Sequence, residues 1–201
     1  PETFYTVESE FTSSSGESYR GIHISEQISD KKEAKRIFTA IDGAKNAEIK
    51  EVKKTTQKRE APGLYSLSAL QIDAGSRLGF TLMHTQDIAQ KLYEDGYTTY
   101  ARTNSQFLKR EKMEDIKKVL EILEKNVPAY ATLLNGIPKV YNHPENYFDD
   151  SKVHSHFAIV PTGKPPKGLS GDEALLYDLI AKSVIRTIYP DAEIAHTRVI
   201  T

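Results

Sequence analysis

Ile194-Ala-His-Thr-Arg-Val-Ile-Thr201 closes the chain as a strand, with β-branched residues on most of its positions. It resembles the opening of the chain more than anything in the middle. Residues 3–10 (TFYTVESE) and 18–25 (SYRGIHIS) show mixed alternation of Tyr, Phe, Val and Ile and flank Ser13-Ser-Ser-Gly16, the pattern of a β-hairpin with a loose loop. Residues 47–58 read as a further strand, solvated on one side. Strand character at both ends and helical character between them predict an α+β fold. Its strand-rich domain is discontinuous, built from residues 1–77 and 190–201, and a mainly helical domain, 78–189, is inserted. The chain starts on Pro1 rather than Met and ends on a strand, which reads as an excised fragment of a longer protein.

The helices carry their own punctuation. Asp30-Lys-Lys-Glu33 opens one in which Ala34, Ile37, Phe38 and Ile41 share a face, stopped by Asp42-Gly43. From Ser66, Leu67, Leu70, Ala74 and Leu78 fall at near-helical spacing, and Gly79 stands where a left-handed terminator belongs. Thr85 to Glu94 follows, with Ile88, Leu92 and Tyr93 inward and Gly96 beyond its end. Tyr97-Thr-Thr-Tyr-Ala101 is a short strand by propensity. Lys112 to Lys125 is amphipathic through Met113, Ile116, Val119, Leu120 and Leu123. Pro128 to Leu134 is a short helix ended by Asn135-Gly136. Residues 137–169 lack helical periodicity, and a stretch this long around the apolar run Phe157-Ala-Ile-Val160 points to function rather than disorder. Ser170-Gly-Asp-Glu173 is a capping box opening a helix to about Ile188, with Leu175, Leu179, Val184 and Ile188 on one stripe and Pro190 as its stop.

Composition narrows the chemistry. The chain has 201 residues, 38% hydrophobic and 27% charged, enough to bury a core and with no sign of disorder. No apolar run approaches the roughly 20 residues that span a bilayer, so no membrane partner is expected. Zero cysteines exclude a disulfide framework, a zinc ribbon and a thiol nucleophile, in keeping with a cytoplasmic location. The net charge of −1 gives no bulk attraction to phosphate. Any nucleic-acid contact must come from local basic stretches such as Lys45 to Arg59, Lys109 to Lys118, or Lys152 with Lys164 and Lys167.

Two segments hold candidate chemistry. In Thr99-Tyr-Ala-Arg-Thr-Asn-Ser105, strand geometry turns Tyr100 and Arg102 to one side. A phenol with its ordinary pKa near about 10 is a nucleophile only with positive charge beside the group it attacks. A guanidinium fork matches phosphate oxygens, and Thr103, Asn104 and Ser105 add donors for a DNA backbone. A core tyrosine beside a surface arginine is the plain alternative. In Phe148 to Thr162, His156 can hold phosphate charge or pass a proton. The rival reading there is a metal site from His154, His156, Asp149, Asp150 and His143, but catalytic zinc patterns place two histidines one helical turn apart.

Four blocks in order resemble the type IA DNA topoisomerases. These are Ala61-Pro-Gly-Leu-Tyr-Ser-Leu-Ser-Ala-Leu-Gln71, Arg77-Leu-Gly-Phe80, Thr85 to Glu94, and Thr98-Thr-Tyr-Ala-Arg-Thr-Asn-Ser105. Phe148 to Thr162 is similar to the family's later block, most of all in its topoisomerase III branch. The resemblance implies that Tyr100 attacks a single-stranded DNA phosphate to leave a 5′-phosphotyrosyl link. It implies further that Arg102 and His156 act at that phosphate, and that Lys152, with Thr103 and Ser105, contacts the DNA. It implies a strand-rich arch interrupted by the tyrosine domain, ATP-independent isomerase activity, and Mg²⁺ held by carboxylates of a preceding metal-binding domain absent from this sequence. The fragment alone is therefore expected to be inactive in relaxation. Asn104 replaces the family's usual Asp, Ser155 and Phe157 flank His156 in place of its usual neighbours, and His154 is an addition. A tyrosine-recombinase-like strand transferase, or a non-catalytic DNA-binding module, is the alternative reading.

Overall fold

The structure is a computed structural model and describes residues 3–201. The chain divides into two compact units. One runs to Gln57 and takes up Ile194–Thr201; the other is Lys58–Glu193.

In the first unit, β1 (Glu8–Thr12) and β2 (Ser18–Ile22) form an antiparallel hairpin with Glu8 opposite Ile22 and Thr12 opposite Ser18. The Ser13–Gly16 turn closes it through Gly16 at φ 87° and a Ser13 N–H to Glu17 carbonyl bond of 2.8 Å. Phe11 and Tyr19 stack on one face at 5.2 Å, and a Cβ at Gly21 would stand 2.8 Å from the Phe11 ring, so the position has no room for a side chain. Helix α1 (Lys31–Ile41) is capped by the Asp30 carboxylate, which accepts from Lys32 N–H. Its inner face is narrower than its pattern suggests. Ala34 joins Val7 and Ile28 in a small core with Tyr5 and Ile37 packed on it, whereas Phe38 and Ile41 remain exposed.

β3 (Glu51–Arg59) pairs with β4 (Ala192–Ile200), and the Lys50 N–H reaches the Ile200 carbonyl at 2.7 Å. Every residue of β3 is exposed. The expectation of one solvated side is therefore corrected to two: all its residues but Val52 are polar, and Val52 itself stays exposed.

The second unit holds the main core. Helix α2 (Leu67–Leu78) starts at Ser66, whose hydroxyl accepts from Ala69 N–H, and ends at Gly79 with φ 72°. Because Leu70 and Ala74 are fully buried in this core, α2 belongs to the second unit, and the division falls at Gln57/Lys58 rather than between 77 and 78. At the other end it falls after Glu193. Helix α3 (Leu82–Glu94) begins three residues before Thr85, because the Thr81 hydroxyl caps it by accepting from His84 N–H. Helices α4 (Met113–Asn126) and α5 (Pro128–Leu134) pack together, with Leu120, Leu123 and Leu134 fully buried.

Helix α6 (Gly171–Ile185) continues as a 3₁₀ turn, Arg186–Ile188. The Ser170 side chain makes no cap bond, so the expected capping box does not form. Nor is α6 a one-stripe helix: Leu176, Tyr177, Ile180, Ala181 and Val184 are all buried, while Leu175 is exposed. It packs on α2, α3 and α4, and a helix covered on several sides is apolar on several sides. No helix among the described residues is long and apolar enough to cross a membrane.

Candidate functional site

The segment after α3 is not a strand. Only Thr98 makes a bridge, to Pro161, and residues 99–107 run as irregular chain. The β-branched residues of 97–101 favour an extended backbone, but their partner is another irregular segment, 156–162, met through a series of separate bonds. Thr99 N–H donates to the Val160 carbonyl at 2.9 Å, and the Thr99 hydroxyl donates to the Ala158 carbonyl at 2.9 Å while accepting from Val160 N–H at 3.0 Å. Thr162 N–H donates to the Tyr97 carbonyl at 3.0 Å. Beyond the tyrosine, the Thr103 hydroxyl donates to the His156 carbonyl at 3.2 Å. These bonds flank Tyr100 on both sides and set it against the histidine segment.

The Tyr100 ring lies 4.3 Å from the His156 imidazole, centroid to centroid, tilted by 38°. Tyr93, from the last turn of α3, also meets Tyr100 edge-on at 5.2 Å. Arg102 is exposed and lines a surface cleft of about 480 Å³ together with His156, Lys152 and His154. Among the described residues, Arg102 and His156 have no ion-pair partner and no side-chain hydrogen bond, and both are exposed at the cleft. Lys152 is less available: its Nζ stands 4.3 Å from the centre of the Phe107 ring and 3.4 Å from Asp149. Ser151, ahead of the other groups, and Lys152 hold the Asp149 carboxyl below its ordinary range.

Thr103 and Ser105 take a different part from the DNA donors read in the sequence. Thr103 is buried, and its oxygen also accepts from Ser105 N–H at 3.1 Å. The Ser105 hydroxyl donates to the Lys152 carbonyl at 2.9 Å and accepts from Phe107 N–H at 3.1 Å. Both hydroxyls are thus occupied in fastening residues 103–107 to 152–156, and they shape the cleft rather than line it with free donors.

The hydroxyls of the second unit's tyrosines separate one candidate nucleophile from the rest. Tyr65 donates to Asp73, Tyr97 to the Lys167 carbonyl, Tyr130 to Asp178, Tyr141 to the Met113 carbonyl, Tyr147 to the Ala61 carbonyl and Tyr189 to the Leu133 carbonyl. Tyr177 is buried. Burial, foremost, pushes Tyr65 up to about 12 and raises Tyr130, Tyr141 and Tyr177 as well, which suits structural phenols. Among the described residues only Tyr93 and Tyr100 keep a partly accessible ring and an unpartnered hydroxyl in this unit. Tyr100 alone also touches a histidine. No spacing rule could have joined Tyr100 to His156; the threonines around it carried the missing signal.

Among the described residues no group of three or more His, Asp or Glu side chains is placed to hold a metal ion. His143 faces Asp191 instead, at 3.2 Å.

Tyr100, against the His156 ring, thus stands next to an exposed cleft that Arg102 and His156 line. Comparison with known proteins gives the family. A family model described as DNA topoisomerase matches residues 1–201. DNA topoisomerase 3 of Bacillus subtilis (strain 168) is 42% identical over 170 residues, 82% of this chain and 23% of that protein. DNA topoisomerase 1 of Methanocaldococcus jannaschii is 34% identical over 176 residues, 87% of this chain and 22% of that protein. The structure of full-length topoisomerase I from Thermotoga maritima shares the fold at a TM-score of 0.63 and 24% identity, covering 98% of this chain and 31% of that one. The chain belongs to the type IA DNA topoisomerase family, with similarity to members named DNA topoisomerase 3. It spans about a quarter of the length of the curated relatives it matches.

Proposed function

We propose that this chain is the strand-cutting portion of a type IA topoisomerase, an ATP-independent isomerase that acts on single-stranded DNA in the cytoplasm. Tyr100 is its nucleophile. The observation that carries this reading is the contact between Tyr100, whose hydroxyl is unpartnered among the described residues, and His156, beside a cleft that Arg102 lines.

In the proposed reaction the Tyr100 oxygen loses its proton and bonds to a backbone phosphorus. The bond from phosphorus to the 3′-oxygen breaks, and that oxygen takes up a proton. The products are a 5′-phosphotyrosyl ester and a free 3′-hydroxyl. Arg102 and His156 meet the charge that gathers on the non-bridging oxygens, the kind of preorganised stabilisation that dominates such steps. Lys152 contacts the neighbouring backbone. The ester conserves the bond energy, so the 3′-hydroxyl reseals the strand by the reverse displacement after another strand has passed. The strand-rich first unit is read as part of an arch that lets the cut ends separate.

The Mg²⁺ implied for the whole enzyme does not fit the side chains described, so no step is routed through it. Its ligands, and the acid for the 3′-oxygen, are assigned to a further domain of the enzyme. The 201-residue chain by itself is accordingly expected to fold without relaxing supercoiled DNA.

The test is covalent trapping of single-stranded DNA by a full-length enzyme that carries this sequence. Denaturation during cleavage should leave a protein–DNA adduct in which a 3′-end label stays with the protein and a 5′-end label does not. Tyr100→Phe should abolish the adduct and retain DNA binding. An adduct that persists in Tyr100→Phe, or one of opposite polarity, overturns the proposal.

A further inference from the structure

The cleft extends past the groups needed for a single phosphate. Its walls come from residues 102–107 and 151–156, fastened across by Thr103 to the His156 carbonyl and by Ser105 to the Lys152 carbonyl. No carboxylate lines it; the lining is Arg, Lys, two His and uncharged side chains. At about 480 Å³ it falls in the size range of sites that take a ligand as large as a nucleotide. His154 sits in this wall, exposed, and among the described residues it has no hydrogen-bond or ion-pair partner. Of the nearby acids, Asp150 turns to Arg110, whereas Asp149 ties up Lys152 of the wall. Asp149 accepts from Ser151 and pairs with Lys152, and Asp150 accepts from Arg110 N–H at 2.9 Å. With Lys152 tied to Asp149, Arg102, His154 and His156 are the wall's basic side chains without an ion-pair partner among the described residues, and a polynucleotide already held at Tyr100 brings its next phosphate within one nucleotide.

We propose that His154 forms a second phosphate seat in this cleft, holding the backbone phosphate adjacent to the one met by Tyr100, Arg102 and His156. The assignment rests on the reading of Tyr100 as the site of strand cleavage. His154 touches the strand and not the reacting atoms, so it is a binding residue. An imidazole N–H donates to a phosphate oxygen.

The experiment is fluorescence anisotropy of a labelled oligothymidylate with the 201-residue chain across a salt series. The variants are His154→Ala, His154→Lys and Arg102→Ala, each checked for an unchanged thermal melt. His154→Ala is expected to weaken binding roughly three- to tenfold. It should also lower the slope of log affinity against log salt by up to about 0.7, the value for one phosphate contact on a single strand. His154→Lys should restore both. If His154→Ala leaves affinity and slope unchanged while Arg102→Ala lowers them, the seat is overturned and the reading of the Tyr100 site stands. If neither variant lowers affinity, or the chain does not bind the oligonucleotide, the seat is overturned, and the covalent-trapping test decides the Tyr100 reading by itself.

Discussion

The Thr103 hydroxyl donates to the His156 carbonyl at 3.2 Å across 53 positions of sequence. This bond and its neighbours let two irregular segments act as one rigid wall. Thr103 is buried and its oxygen both donates and accepts, so its removal leaves the His156 carbonyl and the Ser105 amide without that partner.

Thr103→Val keeps the shape and deletes the bonds. It is expected to cost about 1–3 kcal/mol, the range for stranded buried polar groups. Thr103→Ser should recover most of that loss. Urea unfolding of the three proteins measures it, and equal stability of wild type and Thr103→Val would refute the account.

This bond also marks the limit of what the sequence conveys. Helices with local punctuation were legible: α2 starts at Ser66 and ends at Gly79, and α5 occupies Pro128–Leu134 as read. Their signals are cap hydroxyls, a proline at the first position and a left-handed glycine, all set by near neighbours. The Tyr97–Ala101 stretch misled because strand propensity reports an extended backbone, whereas its partner, 156–162, is reached by scattered bonds from Thr98, Thr99 and Thr103. Ser170 misled for a related reason: its box pattern is present, but the hydroxyl makes no cap bond. Tyr100, Arg102 and His156 were singled out largely by family likeness. That Thr103 and Ser105 hold the wall together depended on where distant carbonyls lie.

Asp73 gathers a second set of bonds, accepting from the Tyr65 hydroxyl and from Arg77 Nε, the latter at 2.5 Å. Burial by itself raises its carboxyl, but Tyr65 and Arg77 outweigh that and hold it below the ordinary carboxylate range. A depressed carboxyl contributes stability that is present above the unfolded-state value and is lost as pH falls through the folded one. Asp73→Asn is expected to cost about 1–2 kcal/mol at neutral pH, since the Arg77 contact is largely solvated. The gap between variant and wild type should close on acidification. Denaturant titrations at neutral and acid pH test this; a gap that widens in acid contradicts it.

His143 has the opposite sign. It adopts φ 55° without being glycine, and its Nε2 lies 3.2 Å from Asp191, whose other oxygen accepts from Asn142 Nδ2 at 2.8 Å. The Asp191 carboxylate, foremost, raises the imidazole above its ordinary value against burial, helped by Glu60 and Glu145. Stability from this contact is full below the unfolded imidazole value and is lost as pH rises through the raised one. His143→Asn, which tolerates the left-handed backbone, should remove that pH dependence. Hydrogen exchange at the Asn142 and Asn146 amides, corrected for intrinsic rates, should show protection falling with rising pH in wild type and flat in the variant. Parallel profiles would count against the pair.

β3 has all nine of its residues in solvent, so its sequence answers to pairing with β4 and not to packing. Substitutions along it should be absorbed with little loss of fold, provided the strand keeps its charge. Lys53, Lys54, Lys58 and Arg59 are gatekeepers: a long uncovered ribbon invites other ribbons to add to its edge, and like charges repel such neighbours. Neutralising them would leave the chain folded and prone to precipitate.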